Sequence, residues 1–151
     1  MKIYCAHPIS GLSGNEVIDY YTNIHKTLKG MGYEVFQPMT AKGFFRPEKE
    51  FKACNYENGH PVSTNHAIFE RDRYMVKKVD IVLVDLSNIK NVSIGCCMEL
   101  AWAQDNDKHT IVVMEKSNIH MHAFVLEAAD IVFEQLEEAL EYLQVFRTQE
   151  M

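Results

Sequence analysis

The sequence predicts an α/β fold, namely a single doubly wound, flavodoxin-like (Rossmann-like) five-stranded parallel sheet with helices on both faces. Two observations support this fold class. Short apolar runs alternate with longer stretches of helical periodicity, and the elements follow the order βαβαβαβαβ, with a last helix after the fifth strand and without internal repeats. The length of 151 residues suits one domain over 1–151. We expect strand order 2-1-3-4-5, with a ligand at the carboxyl ends of the first and third strands, where the order reverses.

The strands are predicted from short runs of mainly apolar residues, of which DIVLVDL, from Asp80, is the clearest. Pro38 closes the second strand, because proline cannot donate to a sheet. The five predicted strands are Lys2 to Ala6, Tyr33 to Phe36, Asp80 to Leu86, Thr110 to Met114 and Asp130 to Phe133.

The helices are predicted from apolar residues at helical spacing between these runs. Gly30 and Gly32 end the first helix, and Ser63-Thr64 starts the second. The predicted helices run from about Gly14 to Met31, Ser63 to Lys78, Ser93 to Asn106, His122 to Glu127 and Glu134 to Phe146.

One segment, from about Thr40 to Val62, lacks a regular pattern. It contains Gly43, Pro47, Gly59 and Pro61 among charged and aromatic residues. We interpret it as a long loop at about 40–62 with at most one helical turn. Loops of this length in compact domains are usually functional or mobile.

Composition excludes several classes of function. A net charge of -6 disfavours binding to a nucleic-acid polymer, which needs a basic face. No apolar run approaches the roughly 20 residues of a membrane span, and the N-terminus lacks the pattern of a signal peptide. The four cysteines form no CxxC pair, and the histidines make no metal set, so we expect no metal, no cofactor and a cytoplasmic location.

The exit of the first strand, YCAHPISG, is a candidate ligand loop that contains His7, Ser10 and Gly11. Small and turn-forming residues let the backbone approach a ligand, and amides before a helix favour anions. The segment is not GxGxxG, so no dinucleotide fingerprint is present. An ordinary strand-to-helix loop explains the segment equally well.

Two carboxylates are candidates for chemistry. Glu99 lies early in the helix after the clearest strand, where the helix dipole favours an ionised nucleophile. The alternative is that Glu99 is an ordinary residue of the helix start without a catalytic role. Asp72 falls on the apolar stripe of its helix and so needs partners or a purpose. A salt bridge to Arg71 or Arg73 is the alternative, although both arginines are expected to point elsewhere on the helix.

Taken together, these positions resemble the nucleoside 2-deoxyribosyltransferase family, which includes deoxynucleoside 5'-monophosphate N-hydrolases. The resemblance covers nearly the whole chain and includes KIYCAHPISG, the helix with Asp72 before VDIVLVDL, and FVLEAAD. Its most specific element is SIGCCMELAWA, which has the pattern SxGxxxELxxA. The resemblance implies that Glu99 attacks the anomeric carbon, that Asp72 helps to protonate or position the base, and that Tyr4 orients the nucleophile.

The resemblance also addresses the 5' end of the substrate. Transferases of the family often carry an aspartate where this chain has Ser93, whereas the nucleotide hydrolases have serine there and use it on the 5'-phosphate. Ser93 and Gly95, with the loop around Ser10 and Gly11, are therefore expected to bind a phosphate. The alternative is that Ser93 simply caps the helix, a role that serine fills well. The family implies that a late residue from a neighbouring subunit, here His122, reaches this end, which requires a homodimer or higher homo-oligomer.

The expected function is cleavage of the N-glycosidic bond of a 2'-deoxynucleoside or its 5'-monophosphate through a covalent intermediate on Glu99, with transfer to another base or to water. The partner is thus a small-molecule nucleoside or nucleotide. Two alternatives stay open, a non-catalytic nucleotide-binding module of the same fold and a glycohydrolase of NAD type. Compared with typical members of the family, the segment at about 40–62 is long, and we expect it to cover the base of the substrate. The sequence does not choose the base, the sugar or the acceptor.

Overall fold

The protein is described by a computed structural model that covers residues 1–40, 42, 49–52 and 61–149. The described strands are β1 (Lys2–Ala6), β2 (Glu34–Phe36), β3 (Ile81–Asp85), β4 (His109–Val113) and β5 (Ile131–Phe133). The described helices are α1 (Gly14–Gly30), α2 (Asn65–Lys78), α3 (Ile94–Asp105), α4 (Ala123–Glu127) and α5 (Leu136–Thr148), with a 3-10 turn at Pro61–Ser63. None of these helices is long and apolar enough to cross a membrane.

All pairings between the strands are parallel, in the order β2-β1-β3-β4-β5. The order reverses between β1 and β3, where Tyr4 lies opposite Val82 and Ala6 opposite Val84. The predicted flavodoxin-like sheet is therefore confirmed, and the switch point lies where the sequence placed it.

Local side-chain chemistry sets most of the element boundaries. Ser13 starts α1 through a capping box with Glu16, and the positive φ of Gly32, +90°, follows its end. The predicted start of α5 at Glu134 is two residues early, because Gln135 occupies the N-cap position and Leu136 is the first helical residue. Tyr33 precedes β2 instead of opening it, and its buried hydroxyl donates to the carbonyl of Leu143 at 2.7 Å.

The alternation of side chains along β1 divides the interior into two cores. Ile3 and Cys5 face α1 and α5 and pack with residues such as Leu28 and Leu143. Tyr4 and Ala6 face the opposite side and pack with Met75, Val76, Cys96 and Leu100 of α2 and α3. Each fully buried aliphatic side chain stabilises the fold by about 1.5–3 kcal/mol. The same alternation decides which residues of the first strand and its loop can meet a group on α3.

Most of the predicted loop at about 40–62 lies outside the described residues. Among its described residues, Lys42 and Phe51 are almost fully buried, with 3% exposure each. The backbone of Phe51 pairs with the β1–α1 loop, since its N–H donates to Leu12 O at 2.7 Å and its carbonyl accepts from Gly11 N–H at 2.9 Å. The role of this segment as a cover for the substrate stays a prediction.

Candidate functional site

The centre of the candidate site is a hydrogen bond between β1 and α3. The hydroxyl of Tyr4 donates to Oε1 of Glu99 at 2.5 Å. Both residues are buried, with Tyr4 fully covered and Glu99 at 7% exposure. Burial and the nearby carboxylates raise the pKa of Tyr4 well above its ordinary value, so the phenol keeps its proton and acts as a donor.

Asp72 lies in the same region and is also buried. Arg71 binds its Oδ1 through two nitrogens, Nη2 at 2.6 Å and Nε at 3.1 Å. The Nη2 group also donates to the carbonyl of Pro38 at 3.0 Å. The expectation that Arg71 points away from Asp72 was therefore wrong, because the long arginine side chain brings its guanidinium to the carboxylate of the next residue. Arg73 does point elsewhere and pairs with Glu70 at 3.2 Å.

A second cation, Lys42, completes the charged cluster. Its side chain is buried, and burial lowers the pKa of its ammonium group to about 8. Attraction by Asp72 and, more weakly, by Glu99 opposes that decrease, which places the lysine near both carboxyl groups. We call Tyr4, Lys42, Arg71, Asp72 and Glu99 the charged cluster. It brings together two carboxyl groups, two cationic side chains and the hydroxyl of Tyr4.

The electrostatics of this cluster favour a retained proton. Burial raises the pKa of Glu99 to about 8, and repulsion by Asp72 adds to the increase. The hydrogen bond from Tyr4 and the charges of Lys42 and Arg71 act in the opposite direction. Burial also raises the pKa of Asp72, against the attraction of Lys42 and Arg71. Two neighbouring carboxyl groups in such surroundings can divide the roles of acid and nucleophile between them.

The start of α3 presents backbone donors near this cluster. Ser93 is the N-cap residue, and its Oγ accepts from the N–H of Cys96 at 3.3 Å. The capping role that serine commonly fills is therefore present. Within the described part of the chain, no acceptor contacts the N–H groups of Ile94 and Gly95, both of which are exposed. These amides are the unpaired donors of a helix N-terminus, a position that favours an anion.

The β1–α1 loop is divided between two sides of the sheet. His7 continues the alternation of Cys5, and its ring stacks on Tyr20 at 3.9 Å between ring centroids. Its Nδ1 donates to the carbonyl of Asp85 at 3.0 Å, and it lines a cavity of about 490 Å³ with Asp85 and Ser87. Tyr4, Asp72 and Glu99 do not line that cavity. In the described structure the imidazole of His7 thus contacts Tyr20 and Asp85, and its role as a substrate ligand stays a prediction.

Ser10 and Gly11 lie at the exposed tip of the same loop. Gly11 has φ +88°, a conformation that glycine adopts without strain, and it faces Asn91 of the β3–α3 loop. The two loops that follow β1 and β3 therefore adjoin, as predicted for a switch-point site. The N–H of Gly11 is engaged with Phe51 O, so in this conformation it is not free to bind a phosphate.

His122 caps α4, where its Nδ1 accepts from the N–H of Phe124 at 3.2 Å, and its side chain is exposed. The structure contains a single chain, so the contribution of His122 to a neighbouring subunit stays a prediction. In the described part of the chain, no group of three or more His, Cys, Asp or Glu residues is arranged to hold a metal ion.

Sequence reasoning missed two residues that the structure brings to this region, Lys42 and His120, and it gave Arg71 only as an alternative salt-bridge partner of Asp72. His120 accepts from the N–H of Ser93 at 2.8 Å and is 2% exposed. Lys42 lies in a segment without periodicity, so no pattern predicted its burial. The histidines were considered in the sequence only as possible metal ligands, so the buried contact of His120 was not predicted.

Comparison with solved structures supports the fold. A 2-deoxyribosyltransferase from Bacillus psychrosaccharolyticus superposes with a TM-score of 0.67 at 18% identity, covering 94% of this chain and 92% of that chain. A 2-desoxiribosyltransferase from Leishmania mexicana gives 0.63 at 18% identity, with 99% of both chains covered. A CMP N-glycosidase from Clostridium botulinum gives 0.59 at 14% identity, covering 97% of this chain and 99% of that chain. At these identities the likeness establishes the fold alone.

The family itself is identified from the sequence. No curated protein sequence matches the chain at a significant level. A family model described as nucleoside 2-deoxyribosyltransferase matches residues 3–141, which includes β1 from its second residue, the charged cluster and the SxGxxxELxxA element. This match covers most of the chain and confirms the resemblance inferred from the motifs. The chain belongs to the nucleoside 2-deoxyribosyltransferase family, and with it to the enzymes that transfer N-glycosyl groups.

Proposed function

We propose that the protein cleaves the N-glycosidic bond of a 2'-deoxynucleoside or its 5'-monophosphate by double displacement, with Glu99 as the covalent nucleophile. The observation that carries this proposal is the buried contact between Tyr4 and Glu99, with Asp72 beside it. A carboxylate nucleophile paired with a second carboxyl group is the arrangement used in retaining glycoside chemistry.

In the first step an oxygen of Glu99 attacks the anomeric carbon, and the bond from that carbon to the base nitrogen breaks. The electron pair of the broken bond leaves with the base, which takes a proton from Asp72 or from water. Because Tyr4 occupies Oε1, Oε2 is the oxygen that we assign to the attack. The product is a glycosyl ester of Glu99.

In the second step an acceptor attacks the same carbon and the ester bond breaks, which returns the electron pair to Glu99. A second base as acceptor gives transfer, and water gives hydrolysis. The acceptor loses a proton as it attacks, and this proton replaces the one that Asp72 or water gave to the first base. Tyr4 stabilises the released carboxylate through its hydrogen bond, while Lys42 and Arg71 offset the negative charge.

We further propose that the 5' end carries a phosphate. Support comes from a serine, Ser93, at the start of α3 and from the exposed amides of Ile94 and Gly95, which suit an anion. The loop around Ser10 and Gly11 adjoins this region, and His122 of a neighbouring subunit is the further ligand that the family resemblance implies. A homo-oligomer is part of this proposal.

Chromatography of a panel of deoxynucleosides and deoxynucleoside monophosphates, with and without an acceptor base, tests the activity. We expect free base from at least one substrate, and a new nucleoside or nucleotide if transfer occurs. Tight binding without release of base would instead identify a non-catalytic binding module. Adding NAD to the panel tests the glycohydrolase alternative.

The covalent step has its own test. Glu99→Ala should lower turnover by about three or more orders of magnitude, because the covalent route is lost. A 2'-fluoro analogue of the preferred substrate should add the mass of the sugar to the intact wild-type protein, and peptide mapping should locate it on Glu99. Near-normal base release by Glu99→Ala would overturn the assignment. Glu141→Gln, an exposed change on α5, is the control variant.

A further inference from the structure

A buried polar chain links the loops that follow β3 and β4, outside the charged cluster. Its two central residues, Asn118 and His120, are 8% and 2% exposed. The amide nitrogen of Asn118 donates to Leu86 O and to the Glu115 carboxylate, both at 2.7 Å. His120 accepts from the backbone N–H of Ser93 at 2.8 Å. This series of hydrogen bonds therefore connects the end of β3, through the β4–α4 loop, to the start of α3.

The chemistry of its partners fixes a single form of His120. The backbone N–H of Ser93 can only donate, so Nε2 of His120 must be unprotonated. The proton then lies on Nδ1, which donates to Oδ1 of Asn118 at 3.0 Å. Asn118 can accept there because its nitrogen already faces two acceptors. Burial lowers the pKa of His120, which favours the same neutral form.

This contact determines the conformation of Ser93. The N–H of Ser93 points inward to His120, while its Oγ faces the first turn of α3 and accepts from Cys96 N–H. Glu115 holds the preceding loop as well, through a 2.7 Å hydrogen bond to the N–H of Asn88. The helix start is thus anchored from inside the protein, and its outward side keeps the exposed amides of Ile94 and Gly95.

We infer that His120 is a positioning residue for the 5' end of the substrate: it holds Ser93 and the first turn of α3 in place without contacting the substrate. This inference rests on the proposed function, since it assigns His120 to the proposed 5'-phosphate position. It differs from the role given to His122, which is exposed and assigned to a neighbouring subunit.

Two variants of similar polarity distinguish the hydrogen bond to Ser93 from the other hydrogen bonds of His120. In His120→Gln the side-chain oxygen can reach the place of Nε2 and accept from Ser93 N–H. In His120→Asn the side chain is one methylene shorter than that of glutamine, so it can contact Asn118 but not Ser93. The probes are 2-deoxyribose 5-phosphate and 2-deoxyribose, which carry no base, and binding is measured by calorimetry alongside the melting temperature.

We expect His120→Asn to weaken binding of 2-deoxyribose 5-phosphate by about tenfold or more, because the loss of a buried hydrogen bond releases the Ser93 backbone. His120→Gln should bind within about threefold of wild type. Equal loss in both variants, or loss without preference for the phosphorylated sugar, would overturn the inference. So would a wild-type protein that binds the two sugars equally.

Turnover distinguishes the inference from the proposed function. With the preferred monophosphate, His120→Asn should raise KM while kcat changes little, and His120→Gln should restore KM. A purely structural role would lower kcat and melting temperature together on every substrate. If wild type binds the sugar phosphate as expected but releases no base, the proposed function fails and the positioning role stands.

Discussion

The hydroxyl of Tyr4 and the carboxylate of Glu99 are joined by a 2.5 Å hydrogen bond between residues 95 positions apart in sequence. Tyr4 lies on β1 and Glu99 in the second turn of α3, and both residues are buried. The bond favours the ionised form of Glu99 against the effect of burial. It therefore links the first strand of the fold directly to the reactivity of the proposed nucleophile.

Removing that donor should impair the reaction more than the fold. In Tyr4→Phe the carboxylate loses its only neutral donor in the described structure, so kcat should fall by about 10- to 1,000-fold. Steady-state kinetics on the preferred substrate measure this. Tyr33→Phe is a matched control, because it also removes a buried tyrosine hydrogen bond, to Leu143 O, away from the site. The control should lose stability but retain kcat; an equal kcat loss in both variants would contradict the role of Tyr4.

Glu99 should make stability depend on pH. Its pKa is raised from 4.5 to about 8 in the folded protein, so the folded state favours the protonated acid. Its favourable contribution is complete below the unfolded value and is lost as pH rises through the folded value. Glutamine mimics the protonated acid, so Glu99→Gln should gain about 1–3 kcal/mol relative to wild type between pH 5 and pH 8.5.

Urea denaturation at the two pH values measures that difference. Glu141→Gln, which replaces an exposed glutamate on α5, should show no such dependence. A constant difference between Glu99→Gln and wild type at both pH values would mean that Glu99 ionises normally in the folded protein.

Lys42 should influence the acidic limb of the pH–rate profile through the pKa of Glu99. The nucleophile must be ionised, so kcat/KM should rise with pH towards about 8, where Glu99 loses its proton. In Lys42→Met a nearby positive charge is lost, which raises the pKa of Glu99 and should move the acidic limb upward by about 0.5–1 pH unit. Lys42→Arg should restore part of the original position.

The control for this prediction is Lys52→Met, which alters an exposed lysine of the same segment. Profiles of kcat/KM from pH 5 to 10 are compared for all four proteins. A uniform decrease in activity for Lys42→Met, with the limb unmoved, would assign Lys42 to packing alone.

Ser93 separates capping from phosphate binding through a pair of near-isosteric variants. Asp and Asn both cap helices well, so Ser93→Asp and Ser93→Asn should keep the melting temperature near that of wild type. Only the aspartate repels a phosphate, so it should lower kcat/KM for deoxynucleoside monophosphates by about tenfold or more relative to the asparagine variant. Use of nucleosides should be affected similarly by the two. A wild-type enzyme that prefers nucleosides would remove the basis of the phosphate proposal.

Much of the architecture was predictable because short apolar runs, turn residues and caps act locally. The strand DIVLVDL and the cap at Ser93 carry their signals within a few residues, and both are confirmed. The family resemblance also related Tyr4 and Asp72 to Glu99, and the structure gathers these three.

The residues that were missed depend on long-range packing. Lys42 is buried close to Asp72 and Glu99, which are distant from it in sequence, and Arg71 joins Asp72 to the carbonyl of Pro38. His7 was grouped with the ligand loop by its sequence position, yet the alternation of β1 directs its ring to Tyr20 on the other side of the sheet. Which side a loop residue takes follows from the strand before it, and this parity could have been read from the sequence.

The pairing of Phe51 with Gly11 and Leu12 ties the tip of a surface loop to the apolar interior. If the loop moves when a ligand enters, the aromatic ring must either move with it or leave the core, and exposing a buried phenylalanine costs about 1.5–3 kcal/mol. The buried ring of Phe51 therefore stabilises the observed conformation of the loop that follows β1, which the small residues of the loop could not do alone. A ligand that binds the amide of Gly11 must first displace the carbonyl of Phe51.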